Sequence, residues 1–178
     1  SYVTLARNEE SKATVLADCL AHVGDNYYYI VFDCPPSLNM LTLNALVAAH
    51  SIIIPMQCEY YALEGLSALL GTVEQIKSAL NPHLHIEGIL LTMYDSRNRL
   101  ALDVAGQLKE HFGGKVFKTP IPRNVRLAEA PSHGVPIIIY DKGSRGSAAY
   151  LAVAGEIVRN HKMEERAKAQ SSKGELYV

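Results

Sequence analysis

The run Tyr27-Tyr28-Tyr29-Ile30-Val31-Phe32, followed at once by Asp33-Cys34-Pro35-Pro36, decides the fold class of this sequence. Its aromatic and β-branched residues favour a strand. The run is continuously apolar rather than alternating, which is typical of a parallel strand with both faces covered. The sequence therefore predicts a buried strand at 27–32, inside a sheet that has helices on either side.

Helical and strand-like patterns alternate along the rest of the chain. Such alternation indicates an α/β fold with an open, mostly parallel sheet flanked by helices. We expect one domain over residues 1–160 and a polar C-terminal tail over 161–178. The predicted helices lie at 8–22, 41–49, 63–80, 100–112 and 146–159, and the predicted strands at 27–32, 51–55, 86–92, 115–119 and, at an edge, 137–139.

The composition is that of an average globular domain, and it excludes several classes of protein. The 178 residues are 48% hydrophobic with a formal net charge of -1, which excludes disordered, collagenous and strongly basic proteins. Binding to nucleic acid would therefore depend on local clusters of Arg and Lys. The three cysteines show no C-x-x-C spacing, which favours a reducing cytosol over a disulfide framework or a zinc site. No run approaches the ~20 apolar residues of a membrane helix.

Polar residues follow the predicted strands, at the edge of a parallel sheet where ligands bind. Asp33 follows the first strand, Arg97 lies just beyond the third, and Arg126 lies just beyond the fourth. An apolar strand that ends in Asp is the pattern by which P-loop nucleotidases hold a hydrated magnesium ion. The alternative for an isolated Asp33 is a cap on the following turn or helix.

Several long runs of the sequence match one known protein family in order and spacing. These runs are IVFDCPPSL at 30–38, QCEYYALEGL at 57–66, GILLTMYD at 88–95, IPRNVRLAEAPS at 121–132 and YDKGSRG at 140–146. With them, the chain from Tyr27 to Asn160 resembles the ParA/Soj family of chromosome and plasmid partitioning ATPases. That family lies in the MinD/ParA branch of deviant Walker A P-loop proteins.

The resemblance implies a P-loop NTPase-like fold and a role for several residues. Asp33 matches the switch II/Walker B Asp, which contacts Mg2+ through water. Arg97 and Arg126 match positions that carry nonspecific DNA binding. The residues expected around the adenine of ATP are Thr92, Met93, Pro122, Arg123 and Asn124.

The resemblance also implies cofactors and partners. ATP and Mg2+ are the expected cofactors, and ATP is expected to clamp two subunits into a homodimer. This dimer would coat nucleoid DNA, and a ParB/Spo0J-like protein would stimulate the slow hydrolysis that releases it. The expected location is therefore the cytoplasm, in association with the nucleoid and not with a membrane.

The chain departs from the family pattern because it contains no K-G-G-x-G-K-[ST] loop and no switch I segment with the family's catalytic Asp. The nearest candidate, Gly113-Gly114-Lys115, fails because position 109 is Lys rather than Gly and no Ser or Thr follows. We therefore expect 1–160 to be a partial nucleotide-binding domain, incomplete at its N-terminus and part of a longer protein. No catalytic residue and no measurable ATP binding are expected in this chain alone. The alternative is a noncatalytic module that binds DNA or a partner without hydrolysing ATP.

The two arginines also allow an interpretation that involves no ligand. If the loops after their strands converge, Arg97 and Arg126 hold phosphates on one face without reading bases. The alternative is that such arginines are solvated, or that they pair with Asp95 and Glu129.

Overall fold

The computed structural model describes residues 13–21, 26–35, 37 and 39–174, and it contains a parallel sheet flanked by helices. The predicted fold class is confirmed. The chain divides into two compact units, one of Ser1–Ile54 with Leu63–Gly88 and the other of Pro55–Ala62 with Ile89–Val178. The helices are α1 (Val15–Leu20), α2 (Met40–Ala48), α3 (Ala62–Ala79), α4 (Arg99–Phe112), α5 (Val125–Glu129), α6 (Ile137–Tyr140) and α7 (Arg145–Gly174), and the strands are β1 (Ser51–Gln57) and β2 (His85–Thr92).

β1 and β2 pair with each other in the sheet, at the positions that the sequence predicts. The connection between them is α3, the β-α-β arrangement that parallel strands require. A third segment runs alongside β2, because Ile89 forms a parallel bridge with Val116. The backbone N–H of Phe117 also donates to the carbonyl oxygen of Ile89 at 3.0 Å. The strand predicted at 115–119 is thus reduced to a bridge, and Gly113–Lys115 before it forms a 3-10 turn.

The core of the first unit is built mainly from α2, α3 and the segment before β2. Its buried residues are Ala13, Leu43, Val73, Ile76 and Leu84. Asn81, which follows α3, fastens the end of α2 to this core. Its side-chain Nδ2 donates to the carbonyl oxygens of Leu46 at 3.1 Å, Val47 at 3.1 Å and Ala49 at 2.8 Å. The last carbonyl oxygens of a helix find no hydrogen-bond donor within the helix. Asn81 supplies a donor for those at the end of α2.

The core of the second unit lies between the end of β2 and α7. Its buried residues are Leu90, Phe117, Ile121, Ala149 and Val153. The buried Glu156 of α7 accepts a hydrogen bond of 3.0 Å from the backbone N–H of Lys118. At the start of the same helix, a Cβ added to Gly146 would lie 2.5 Å from Cγ of Leu127. Only glycine therefore permits this approach of α7 to α5.

The strand predicted at 27–32 is wrong for the described part of the chain. These residues are not part of any strand in the described ranges. Tyr28 is fully exposed and Val31 is 88% exposed. Strand preference depends on the packing of the side chains in a sheet, so composition alone does not make a strand.

The edge strand predicted at 137–139 is also wrong, because these residues begin α6. The backbone N–H groups of Tyr140 and Asp141 donate to the carbonyl oxygens of Pro136 and Ile137, both at 2.9 Å. Hydrogen bonds within this segment therefore satisfy its backbone, and no strand of the described ranges pairs with it.

The two terminal helices differ in length from their predictions. Of the helix predicted at 8–22, the structure gives α1, while residues 8–12 and 22 lie outside the described part. α7 continues past 159 to Gly174. None of the helices in the described ranges combines the length and the apolar character needed to cross a lipid bilayer.

Candidate functional site

Asp33 lies in the first unit, on an exposed segment before α2. No group of three or more His, Cys, Asp or Glu side chains suited to a metal ion occurs among the described residues. Mg2+ keeps several waters and takes only one or two carboxylates when a phosphate supplies the remaining ligands. A single exposed Asp33 fits that water-mediated role, and it does not fit a metal site made of protein groups alone.

The second unit brings together the two segments predicted to surround adenine. Tyr94 forms a parallel bridge with Pro122, directly beyond the end of β2. The backbone N–H of Ile121 donates to Leu91 O at 2.8 Å, and that of Arg123 donates to Tyr94 O at 3.0 Å. The structure therefore places Thr92 and Met93 beside Pro122, Arg123 and Asn124, as the strand-end rule leads one to expect.

Met93 has an unusual backbone. Its φ is 51°, which makes it the one non-glycine residue with positive φ among the described residues. Left-handed backbone costs a residue of this kind about 1–3 kcal/mol, and it persists only where the surroundings fix it. Here hydrogen bonds on both sides do so, because Ile121 pairs with Leu91 before Met93 and accepts from the N–H of Tyr94 after it. Nothing in the sequence signals this feature.

Asn124 is the N-cap of α5, and its side-chain orientation follows from that position. Its Oδ1 accepts a hydrogen bond of 2.8 Å from the backbone N–H of Arg126. Since an N–H needs an acceptor, the oxygen is assigned to the helix and the Nδ2 group becomes the outward donor. Nδ2 makes no hydrogen bond to the part of the chain that the structure describes. Asn124 therefore keeps a side-chain donor available after its helix cap is made.

Arg97 pairs with Asp95 through two parallel hydrogen bonds. Its Nε donates to Asp95 Oδ1 at 3.0 Å, and its Nη2 donates to Oδ2 at 2.9 Å. The backbone N–H of Arg97 also donates to Oδ1 at 3.0 Å. These bonds from Arg97, with a smaller contribution from the charge of Arg123, hold the pKa of the Asp95 carboxyl at about 2. The Arg97 side chain is 89% exposed, so the pair lies at the surface.

Arg126 lies between two carboxylates. Its Nη1 is 2.9 Å from Glu129 Oε2, and its Nε is 3.5 Å from Asp141 Oδ2. The Tyr140 hydroxyl donates to the same Glu129 oxygen at 3.1 Å. The hydrogen bond from Arg126, followed by that from Tyr140, lowers the pKa of Glu129.

The pairing of Arg97 with Asp95 and of Arg126 with Glu129 is the arrangement that the sequence left open as an alternative to solvated or phosphate-bound arginines. The contacts of Glu129 with Tyr140 and of Arg126 with Asp141 could not be seen in the sequence, because they depend on α6 replacing the predicted strand. The candidate loop Gly113-Gly114-Lys115 has no nucleotide-binding context. Gly113 has a φ of 50° and ends α4, whereas a P-loop follows a strand and opens a helix.

Comparisons with known proteins agree with these observations. A protein-family model described as an AAA domain matches residues 3–86. The sporulation initiation inhibitor protein Soj of Bacillus subtilis is 56% identical over 150 residues, which cover 84% of this chain and 59% of Soj. The chromosome partitioning protein ParA of Myxococcus xanthus is 51% identical over 152 residues, which cover 85% of this chain and 54% of that ParA.

A solved structure extends the likeness to the fold. Cobyrinic acid a,c-diamide synthase from Mycobacterium smegmatis, solved with a bound ATP analog and magnesium, matches with a TM-score of 0.73 at 32% identity. The match covers 89% of this chain and 59% of the synthase. The chain thus spans less than two thirds of the length of the curated relatives it matches. The chain is thus similar in sequence to the Soj and ParA proteins over most of its length, and its fold is that of the P-loop NTPases.

Proposed function

We propose that the native protein carrying this chain is a partition ATPase that switches between two states. ATP and Mg2+ clamp two subunits into a homodimer, and the dimer binds DNA without sequence preference. A ParB-like partner then stimulates hydrolysis, which releases the DNA. The name of the ParA relative supports a role in chromosome partitioning, and the ATP analog and magnesium of the synthase support the cofactors.

The observation that carries the proposal is the parallel bridge between Tyr94 and Pro122. One side of this bridge leads from Met93 to Arg97, and the other leads from Pro122 to Arg126. The same strand ends thus support both the proposed adenine contacts and the proposed phosphate contacts. Binding of a nucleotide and binding of DNA would therefore meet at one edge of the second unit.

The chemistry of the proposed adenine contacts suits a flat heterocycle with acceptor nitrogens. Met93 is 46% exposed and offers a polarisable thioether, while Pro122 offers an apolar ring face. Asn124 Nδ2 is the donor that remains after the helix cap is made. Thr92, which precedes Met93, and Arg123, which follows Pro122, are the remaining proposed adenine contacts.

Asp33 is proposed to hold Mg2+ through its water shell. Its carboxylate would accept hydrogen bonds from the waters of the ion and orient them. An ion held there would supply positive charge against the negative charge that develops during phosphoryl transfer to water.

Arg97 and Arg126 are proposed to contact DNA phosphates. Arginine binds phosphate through two parallel N–H groups, and such contacts position a protein on DNA without reading its sequence. The protein would accordingly be cytoplasmic and associated with the nucleoid.

The test is a double substitution, Arg97→Glu with Arg126→Glu, in the full-length native protein. We expect loss of binding to a duplex of mixed sequence, measured by fluorescence anisotropy with ATP present, while ATP binding measured by calorimetry is retained. Lys109→Glu with Lys115→Glu is the matched control, since it changes the net charge equally. Lys109 lies in the last turns of α4, about 15 Å along the helix from its start, and Lys115 lies in the 3-10 turn that follows α4. Salt-sensitive DNA binding that survives the arginine substitutions would contradict the assignment.

A further inference from the structure

We propose that Asp95 and Glu129 set the DNA affinity of this surface, because in the free protein they occupy the guanidinium groups that a phosphate would take. This inference rests on the proposed function, in which Arg97 and Arg126 contact DNA. The carboxylates act as internal competitors of the phosphate and take no part in any reaction.

The geometry at Arg97 shows why the competition is direct. Asp95 engages Nε and Nη2 together, at 3.0 and 2.9 Å, with one carboxylate oxygen on each. A bidentate phosphate uses the same kind of donor pair on the guanidinium. Nε and Nη2 of Arg97 therefore cannot bind Asp95 and a phosphate at the same time. Since its side chain is 89% exposed, it is free to turn from Asp95 to a phosphate in solvent.

The arrangement at Arg126 is similar but has two acceptors. Glu129 takes Nη1 at 2.9 Å, and Asp141 lies 3.5 Å from Nε on another side of the group. Glu129 is the closer of the two carboxylates and is therefore the main competitor. A phosphate that reaches Arg126 must displace it or share the cation with it.

Each competing carboxylate keeps a second donor when its arginine leaves. Asp95 Oδ1 retains the backbone N–H of Arg97 at 3.0 Å, and Glu129 Oε2 retains the Tyr140 hydroxyl at 3.1 Å. The carboxylates are therefore fixed in place, and the arginines are the parts that exchange partners. Because the carboxylate stays near the bound phosphate, it opposes binding both by competition and by like-charge repulsion.

The size of the effect follows from the value of an exposed ion pair. Such pairs shift an equilibrium by at most about five-fold, so removal of one carboxylate should tighten DNA binding about two-fold to five-fold. Asp95→Asn is the sharpest change, because the amide oxygen still accepts the Arg97 backbone N–H while the charge is lost. Glu129→Gln is the equivalent change beside Arg126.

The experiment measures DNA affinity of the full-length native protein by fluorescence anisotropy, with a labelled duplex of mixed sequence, ATP and fixed salt. Matched controls are Asp103→Asn and Glu110→Gln, which remove the same charge from exposed side chains of α4. Neither residue forms an ion pair within the described part of the chain. We expect Asp95→Asn and Glu129→Gln to bind about two-fold to five-fold more tightly, and the controls to change by less than half as much. Equal gains in all four variants would overturn the inference, because they would reflect net charge alone.

Variants of Arg97 separate this inference from the proposed function. In an Arg97→Lys background the bidentate pair is lost, so the gain from Asp95→Asn should shrink towards that of the Asp103→Asn control. An undiminished gain would refute the competition. If substitutions of Arg97 and Arg126 leave DNA binding intact, the proposed function itself fails. If they weaken it while Asp95→Asn and Glu129→Gln change nothing, only the inference fails. ATP affinity should remain unchanged in every variant, and a parallel change in it would assign the arginines to the nucleotide instead.

Discussion

Gly146→Ala is expected to destabilise the second unit and to disturb the helix that carries Arg126. Non-bonded carbon atoms rest about 3.5–4.0 Å apart. The new Cβ would lie 2.5 Å from Cγ of Leu127 and 2.8 and 2.9 Å from its two methyl carbons. Three overlaps of this size cannot be relieved by rotating one methyl group. Either Leu127 leaves its place against the core, or α7 moves away from α5.

The expected magnitude combines two opposing contributions. Overpacking a fitted contact costs about 1–3 kcal/mol. Replacing glycine by alanine within a helix raises the free energy of unfolding by about 0.5–1 kcal/mol. The difference between the middles of these two ranges gives a net loss of unfolding free energy of about 1.3 kcal/mol.

Urea unfolding of the full-length native protein, followed by circular dichroism, measures this loss. With a urea dependence of about 2–3 kcal/mol per molar, the midpoint should fall by about 0.5 M. The matched control is Gly106→Ala in the middle of α4, where an added Cβ meets no atom within 4 Å. This control should raise the midpoint, because it gains helix propensity without a clash. A Gly146→Ala midpoint equal to or above that of the native protein, with Gly106→Ala behaving as expected, would refute the reasoning.

Three further predictions follow from contacts described above. Asn81→Ala removes the donor to the end of α2 and should cost about 1–3 kcal/mol in urea unfolding, whereas the exposed Asn160→Ala control should change little. With the pKa of Asp95 lowered from 3.8 to about 2, its pair with Arg97 contributes fully above pH 3.8 and is lost as the pH falls through about 2. Carbon-detected NMR titration should show this, with the pKa returning towards 3.8 in Arg97→Ala, and an unchanged titration would exclude the pair in solution. Burial raises the pKa of the Cys58 thiol, so iodoacetamide should modify it more slowly than the two exposed cysteines, and equal rates would contradict its burial.

The sequence predicts those elements of the fold whose stability depends on amphipathic pattern and length. The strands at 51–55 and 86–92 and the helix at 63–80 appear within two residues of their predicted bounds. The run 27–32 has the stronger strand composition, yet it forms none in the described chain. A strand depends on pairing partners that are distant in sequence, whereas a long helix makes its own hydrogen bonds.

The proximity of the two segments proposed to contact adenine was predictable, because a rule of topology applies to them. Parallel strand ends meet at one edge, which places Met93 and Pro122 together before any coordinates are known. The position of Asp141 beside Arg126 was not predictable, since three consecutive isoleucines at 137–139 favour a strand on propensity. These residues form α6 instead, and Tyr140 and Asp141 at its end contact Glu129 and Arg126 of α5.

The left-handed backbone of Met93 has a consequence for how this position tolerates sequence variation. At a φ of 51°, glycine meets no steric penalty and asparagine meets a small one, while β-branched residues are strongly disfavoured. In a saturation library at position 93, the recovery of each variant should therefore depend first on how readily its residue adopts a positive φ, and only then on its size or polarity. Glycine and asparagine would be recovered with wild-type folding, whereas valine and isoleucine, although apolar like methionine, would be depleted.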